Sequence, residues 1–296
     1  MAAAEAARPG GGQQRTASAL LGPATLIVVV GLVLPIFILL RFSLHRFVPG
    51  ELMVEALTLE NYVKFATDPF YLNVLWRTAR VALVTTIVCL VLGFPIAYRL
   101  ARTGSRFKNL MLMLIVLPLF VGNAVRAAGW MVAFGTKGAV NTALAELGLI
   151  AEPLTLMYTE FAVVVGIISV NLPFMVLTLQ SVIEGIDPAV EEAAMSLGAN
   201  PLRTFWRVTM PLALPGILTG SILCFILAMN AYATPVLIGG PRFQTMGPLV
   251  YSVFVGQTNW PFGAAISFIL MTATLVLTLI ANVLVQRRFG ERSRAP

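Results

Sequence analysis

Apolar residues in this chain come in long unbroken runs, without the two-residue alternation of half-buried strands or the three-to-four-residue stripe of soluble amphipathic helices. Six stretches contain no Asp, Glu, Lys or Arg: 20–40, 81–98, 110–125, 161–179, 212–237 and 262–285. Each reaches or approaches the ~20 residues that carry a helix across ~30 Å of hydrocarbon. The third is short unless it runs past Arg126 to Phe134. The pattern predicts an all-α membrane protein with six transmembrane helices. A polar tail over 1–19 precedes the six-helix unit at 20–286, and a basic tail follows at 287–296. The first run exceeds the ~7–15 apolar residues of a secretory signal core, so it is read as a retained helix.

Composition agrees: 58% hydrophobic and 11% charged residues lie outside the range of soluble domains. The net charge of +7 would admit a nucleic-acid ligand, but the basic residues flank the spans, where Lys and Arg report topology instead. With six spans both termini share a side. That side holds twelve of the twenty basic residues: Arg8, Arg15, Arg99, Arg102, Arg106, Lys108, Arg203, Arg207, Arg287, Arg288, Arg292 and Arg294. The short 99–108 segment carries four of them and no acid. In the first outer loop Arg41, Arg46, Lys64, Arg77 and Arg80 are largely balanced by Glu51, Glu55, Glu60 and Asp68. Both termini, and the loop between the fourth and fifth spans, are therefore expected in the cytoplasm. Cys89 and Cys224 lie inside spans and His45 has no ligand pattern around it, so neither a disulfide framework nor a metal site is expected.

That fourth loop is the most structured polar segment. Asp187 before Pro188 reads as a helix start, since the carboxylate accepts from free backbone N–H groups and Pro at the first helical position loses no hydrogen bond. A helix should run from Pro188 to Leu197. Gly198 then supplies a left-handed residue, and Asn200-Pro201 repeats the cap for a second helix reaching about Met210. Val190, Ala194 and Leu197 fall near one stripe suited to docking, with Glu191 and Glu192 pointing elsewhere. Leu202, Phe205, Trp206 and Val208 offer an apolar body that packs back on the span ends. A hairpin lying on lipid headgroups fits less well, because Glu184, Asp187, Glu191 and Glu192 outnumber Arg203 and Arg207.

Glu192-Ala193-Ala194, three residues, Gly198, nine residues, then Val208, Met210 and Pro211 resemble the EAA loop of bacterial ABC importer permeases. Arg126-Ala-Ala-Gly-Trp130, Asn171-Leu-Pro-Phe174, Pro211-Leu-Ala-Leu-Pro-Gly216, Thr234-Pro235 and Trp260-Pro-Phe-Gly263 extend the likeness to the spermidine/putrescine-type branch, most closely its first permease. The resemblance implies the type I importer fold, with 183–211 as the coupling loop in an inner-membrane subunit. It also implies three partners: a cytoplasmic ATPase dimer, a second homologous permease and a periplasmic solute-binding protein. The residues it marks for ATPase contact are Asp187, Glu191, Glu192, Ala193, Ala194, Leu197, Gly198, Asn200 and Pro201. ATP and Mg are implied on the partner, since the chain has no Gly-rich phosphate loop of its own. Branch members also carry opines, amino acids or aminophosphonates.

Polar groups at membrane depth are the candidates for meeting cargo. Asn230, Tyr232 and Thr234 precede Pro235, which frees a backbone carbonyl, and Asn171 with Pro173 reads as a similar break near mid-membrane. Helix–helix hydrogen bonding is the plainer role for both sets. Arg126 in an extended third span falls near the outer boundary, where snorkelling or a subunit contact competes with a pathway role. Trp130 offers a π face but also fits an interfacial belt. No span carries Asp or Glu. This argues against ion-coupled secondary transport, and the missing acid pair and metal motif argue against an intramembrane enzyme.

Overall fold

The computed structural model describes residues 11–241 and 243–290. Arg8, Arg292 and Arg294 lie outside the described residues, as do the side chains of Arg15, Arg287 and Arg288. The described chain is helical apart from loops and an isolated bridge between Arg46 and Val54. The long helices are α1 (Gly11–Ser43), α3 (Pro69–Arg102), α7 (Glu160–Glu184), α11 (Leu214–Met229) and α13 (Trp260–Gly290). Shorter ones are α2 (Glu60–Thr67), α4 (Lys108–Val116), α5 (Asn123–Phe134), α6 (Ala139–Glu146), α8 (Pro188–Ser196), α9 (Pro201–Thr204), α10 (Met210–Leu212) and α12 (Met246–Tyr251). Among the described residues four helices are long and apolar enough to cross a bilayer singly, and up to six spans result if each of two bent helix pairs forms one.

Capping sets the ends of the core helices. Asp68 Oδ1 accepts from the Phe70 N–H at 2.8 Å with Pro69 at the first position, so α3 begins well before the uncharged run. Its 34 residues extend about 51 Å, so its last turns, with Arg99 and Arg102, project beyond the hydrocarbon. Thr159 Oγ1 accepts from the Ala162 N–H at 3.2 Å and starts α7.

Helices α3, α7 and α11 pack against one another as the centre of the bundle, α13 lies on α11, and α1 lies on α13 with its apolar run exposed. Two cores stack along this centre. One holds Phe94, Met175, Leu179, Ile183 and Ile217 toward the α8 end, and the other holds Val81, Ile167, Met229, Met246 and Phe262 toward the opposite end. Close approach of α11 to α7 depends on Gly216, where an added Cβ would lie 2.9 Å from the Cβ of Val182.

Three expectations change. The third crossing does not run on through Arg126: α4 continues as a 3-10 turn to Phe120, and the chain then turns by 96° into α5 and α6. Pro173 does not break α7, which is continuous through it, because α3 and α11 enclose that face of the helix. The fifth run is not one helix either. It stops at Met229, 16 residues or about 24 Å from its start, and a π-helical turn follows only at Pro235–Gly239.

Gly216→Leu should lower the thermal midpoint of the purified protein by overpacking the α7–α11 contact, at a cost of ~1–3 kcal/mol. Gly31→Ala, at an open site on α1, should leave it unchanged. Melting followed by size-exclusion chromatography in detergent compares the two.

Candidate functional site

Between α7 and α11 the chain forms the hairpin that its capping residues foretell. Asp187 Oδ1 accepts from the Ala189 N–H at 2.9 Å, with Pro188 at the first position of α8. At the other end Gly198 adopts φ +87°, and the Ala199 N–H reaches back to the Ala194 carbonyl at 3.1 Å. This left-handed closure turns the chain where a side chain would be strained. Asn200 Oδ1 then caps the next helix by accepting from the Arg203 N–H at 2.7 Å. The second arm is α9, a π-helical turn over Phe205–Thr209 and α10, bent by 66° from α11.

One buried carboxylate ties this hairpin to the bundle. Glu191 Oε1 accepts from Arg102 Nη2 at 2.8 Å and from Thr209 Oγ1 at 2.9 Å, while Oε2 accepts from Tyr98 OH at 3.1 Å. Arg102 also donates through Nη1 to the Ile186 carbonyl at 2.7 Å. The side chains of Arg102 and Glu191 are only 16% and 11% exposed, so the pair is little screened by water. Burial pushes the Glu191 carboxyl up. Hydrogen bonds from Arg102, Thr209 and Tyr98, with the Arg102 charge, outweigh that and hold it below the usual carboxylate range. Phe205 adds an apolar anchor, edge-on to Phe94 at 5.3 Å and to Tyr98 at 6.3 Å. The clasp thus joins both hairpin arms to the end of α3.

The outward side of the hairpin is uncovered among the described residues. Leu197 is 90% exposed, and Val190, Met195, Leu202 and Trp206 are exposed beside it. Glu192 and Ala193 are exposed and Ala194 is half-buried. The expected docking stripe is therefore open at Val190 and Leu197, whereas Glu191 and Glu192 have opposite fates, one buried in the clasp and one free.

The polar residues proposed for cargo do not form one site. Asn230 and Tyr232 line a groove of about 690 Å³ between α11 and α13. The Tyr232 ring stands 5.1 Å from that of Tyr251. Thr234 is buried at 6% exposure and lies against Gly166 of α7 instead. Asn171 is fully enclosed and donates through Nδ2 to the Cys224 carbonyl at 3.0 Å, a cross-link between α7 and α11. Trp130 donates to Ser169 Oγ at 2.9 Å and stacks on Phe134. Arg126 donates to the Pro118 carbonyl, which also accepts from the Val121 N–H, and to the Val121 carbonyl at the turn after Phe120.

A family model described as binding-protein-dependent transport system inner membrane component matches residues 89–290, covering the clasp, the hairpin and the groove. The chain belongs to that family. It is 36% identical over 235 residues to the spermidine/putrescine transport system permease protein PotB of Haemophilus influenzae, covering 78% of this chain and 82% of the relative. To PotB of Escherichia coli strain K12 it is 38% identical over 226 residues, covering 76% and 81%. Among solved structures, a bacterial alginate ABC transporter in complex with an alginate pentasaccharide-bound periplasmic protein aligns with a TM-score of 0.78 at 16% identity, covering 94% of this chain and 96% of that one. The chain is an inner-membrane permease component of a transport system, with the type I ABC importer permease fold.

In this permease component several functional candidates escaped the sequence reading. From the sequence Arg102 is a flanking charge and Tyr98 a span end, and neither announces a shared partner. Their four-residue spacing on one helix face was the available signal. The groove also takes Ser267 and Thr274 from α13 and leaves Thr278 Oγ1 without a partner. Those three recur at seven and four residues along an otherwise apolar helix, a stripe visible in the sequence.

Glu191→Ala or Arg102→Ala alone should destabilise the protein strongly by leaving the other charge buried, and the double variant should lose less than the sum. A coupling of ~1–3 kcal/mol in a double-mutant cycle of thermal melts is expected. The pH dependence has a definite sign: the Glu191 contribution is full above the ordinary carboxylate value of ~4.3. It is lost as pH falls through the lower folded value. The stability advantage over Glu191→Gln should therefore be constant from pH 8 to about 5 and shrink below about 4.

Proposed function

We propose that this chain is the membrane permease through which a cytoplasmic ATPase dimer drives uptake of a small organic cation, a polyamine of the spermidine/putrescine type. In this reading a periplasmic binding protein delivers the cargo and a second, homologous permease completes the pathway. The observation that carries it is the hairpin at 183–211: its inward side is locked to α3 by Glu191 and Arg102, and its outward side presents Leu197, Met195, Leu202 and Trp206 uncovered. A rigid lever with an apolar free face transmits a push, and although Arg203 and Arg207 are exposed beside that face, the acids of the hairpin outnumber them, which anionic headgroups would repel. The hairpin and both termini are assigned to the cytoplasm by the charge asymmetry of the flanking loops. Asp187, Glu192, Ala193, Ala194, Gly198, Asn200 and Pro201 shape or border the docking face. ATP and Mg belong to the partner, and this chain acts as a non-catalytic subunit.

The relatives named for spermidine and putrescine support the cargo. On the chain itself the groove supports it, with Tyr232 in its lining as a π face for an ammonium and Tyr251 packed against that ring. Asn230 and the hydroxyls of Ser267 and Thr274 stand beside them as acceptors. No carboxylate lines this groove. Contact with a cation is therefore weak, as rapid passage behind a tight binding protein requires. The same absence favours a second reading, in which the cargo is a neutral or zwitterionic solute.

The test is reconstitution of the complex purified from its native membrane, with ATP hydrolysis measured as binding protein loaded with spermidine, putrescine or a neutral amino acid is added. Stimulation by the polyamine-loaded protein is the expected result. Stimulation only by the other cargo would select the second reading, and absence of a co-purifying ATPase would overturn the proposal. Leu197→Glu should reduce stimulated hydrolysis at least ten-fold while leaving the permease folded. A burden on folding would show instead as a lowered melting midpoint.

A further inference from the structure

The last turns of α3 carry a second basic feature that the clasp does not use. Between α3 and α4 lies a cleft of about 920 Å³, its wall formed by Ile96, Met111, Leu114 and Ile115 and its end by Arg99 and Arg102. The loop over Thr103 and Gly104 closes that end, and Arg106 and Lys108 follow directly. Two of these four cations are neutralised: Arg102 is paired with Glu191, and Lys108 with Glu184. Arg99 makes no ion pair among the described residues. The Arg106 guanidinium meets only its own neighbour, the Phe107 ring, at 5.1 Å. Thr103 Oγ1 accepts from the Ser105 N–H at 3.3 Å and keeps its own proton to donate.

Hydrocarbon walls leading to the unpaired Arg99 guanidinium and the Thr103 hydroxyl, with Arg106 two residues past the closing loop, match one class of molecule. A free phosphate or nucleotide would find the cations but leave the apolar wall uncovered. A zwitterionic lipid would cover the wall and place its own cation against Arg99. We propose that the α3–α4 cleft binds an anionic phospholipid, its phosphodiester held by Arg99 and Arg106 with the Thr103 hydroxyl, and its acyl chains lying along Ile96, Met111, Leu114 and Ile115. Guanidinium suits this ligand because its forked donors match phosphate oxygens. Basic pockets between membrane helices on the cytoplasmic side are suited to such headgroups. Placing the lipid in the inner leaflet rests on the cytoplasmic assignment of the hairpin. Binding itself does not depend on that assignment. Because Arg102 lines the same cleft, a bound lipid also braces the helix end that holds the clasp.

The test uses the full chain purified in detergent, delipidated and titrated with phosphatidylglycerol or phosphatidylcholine, with bound lipid counted by native mass spectrometry. Phosphatidylglycerol is expected to bind at least ten-fold more tightly than phosphatidylcholine. Arg99→Gln with Arg106→Gln should remove most of that preference, whereas Arg203→Gln with Arg207→Gln, an equal loss of charge on the hairpin, should keep it. Equal binding of the two lipids by the unaltered chain would overturn the proposal whatever the variants do. Equal loss in both double variants would reduce the effect to overall charge and overturn it as well. Displacement of phosphatidylglycerol by millimolar inorganic phosphate would show a simple anion site and reject the lipid. A chain that binds phosphatidylglycerol selectively yet brings no ATPase with it would sink the proposed function alone.

Discussion

A backbone carbonyl inside hydrocarbon has no water to bond, and leaving it unpaired costs several kcal/mol. At three places in this bundle a side chain from another turn or helix bonds a main-chain group. Where the third crossing turns after Phe120, Arg126 reaches back to the carbonyls of Pro118 and Val121. At the start of α12, Thr78 Oγ1 of α3 accepts from the Met246 N–H at 2.9 Å. Asn171 donates to the Cys224 carbonyl of α11, one turn before that helix ends. The polar residues at membrane depth are therefore mostly structural. Those left with open faces, Asn230, Tyr232 and the hydroxyls of α13, surround the groove.

The same constraint makes the hairpin end different in kind. Beyond the hydrocarbon, loops are free to solvate, and a 27-residue connection such as 185–211 could have remained irregular. It is fixed instead by a carboxylate that accepts three hydrogen bonds and by an arginine that bonds both that carboxylate and the carbonyl of Ile186. A buried pair of this sort is a weak source of stability relative to an apolar replacement, but it demands one geometry, since a shift of the hairpin would strand two charges. Geometry is what a transmitting element requires. The apolar contact of Phe205 with Phe94 and Tyr98 continues that linkage into the core toward the α8 end.

The two faces of this end then divide the work. Toward the bundle, acids and bases are paired. On the outward face of the hairpin, Leu197 and Trp206 are uncovered, and on the flank of α3 the charges of Arg99 and Arg106 remain beside an apolar cleft. The first surface is apolar and the second cationic, which is why different partners, a protein and a lipid, are proposed for them.

The fold class was readable from the chain because hydrocarbon imposes a local rule: uncharged runs of sufficient length must be helical. The hairpin was equally readable, since Asp187-Pro188, Gly198 and Asn200-Pro201 act through backbone groups within a few residues. Even the family emerged from spacings inside that segment. What the sequence could not determine was which polar residues meet each other. Glu191 and Glu192 are neighbours with the same chemistry, and only the approach of α3, almost ninety positions away, buries one and frees the other. Likewise Pro173 and Arg126 looked like a break and a membrane charge, yet packing kept the helix intact at one and made the other a cap. Those outcomes rest on contacts distant in sequence, and only the assembled bundle decides them.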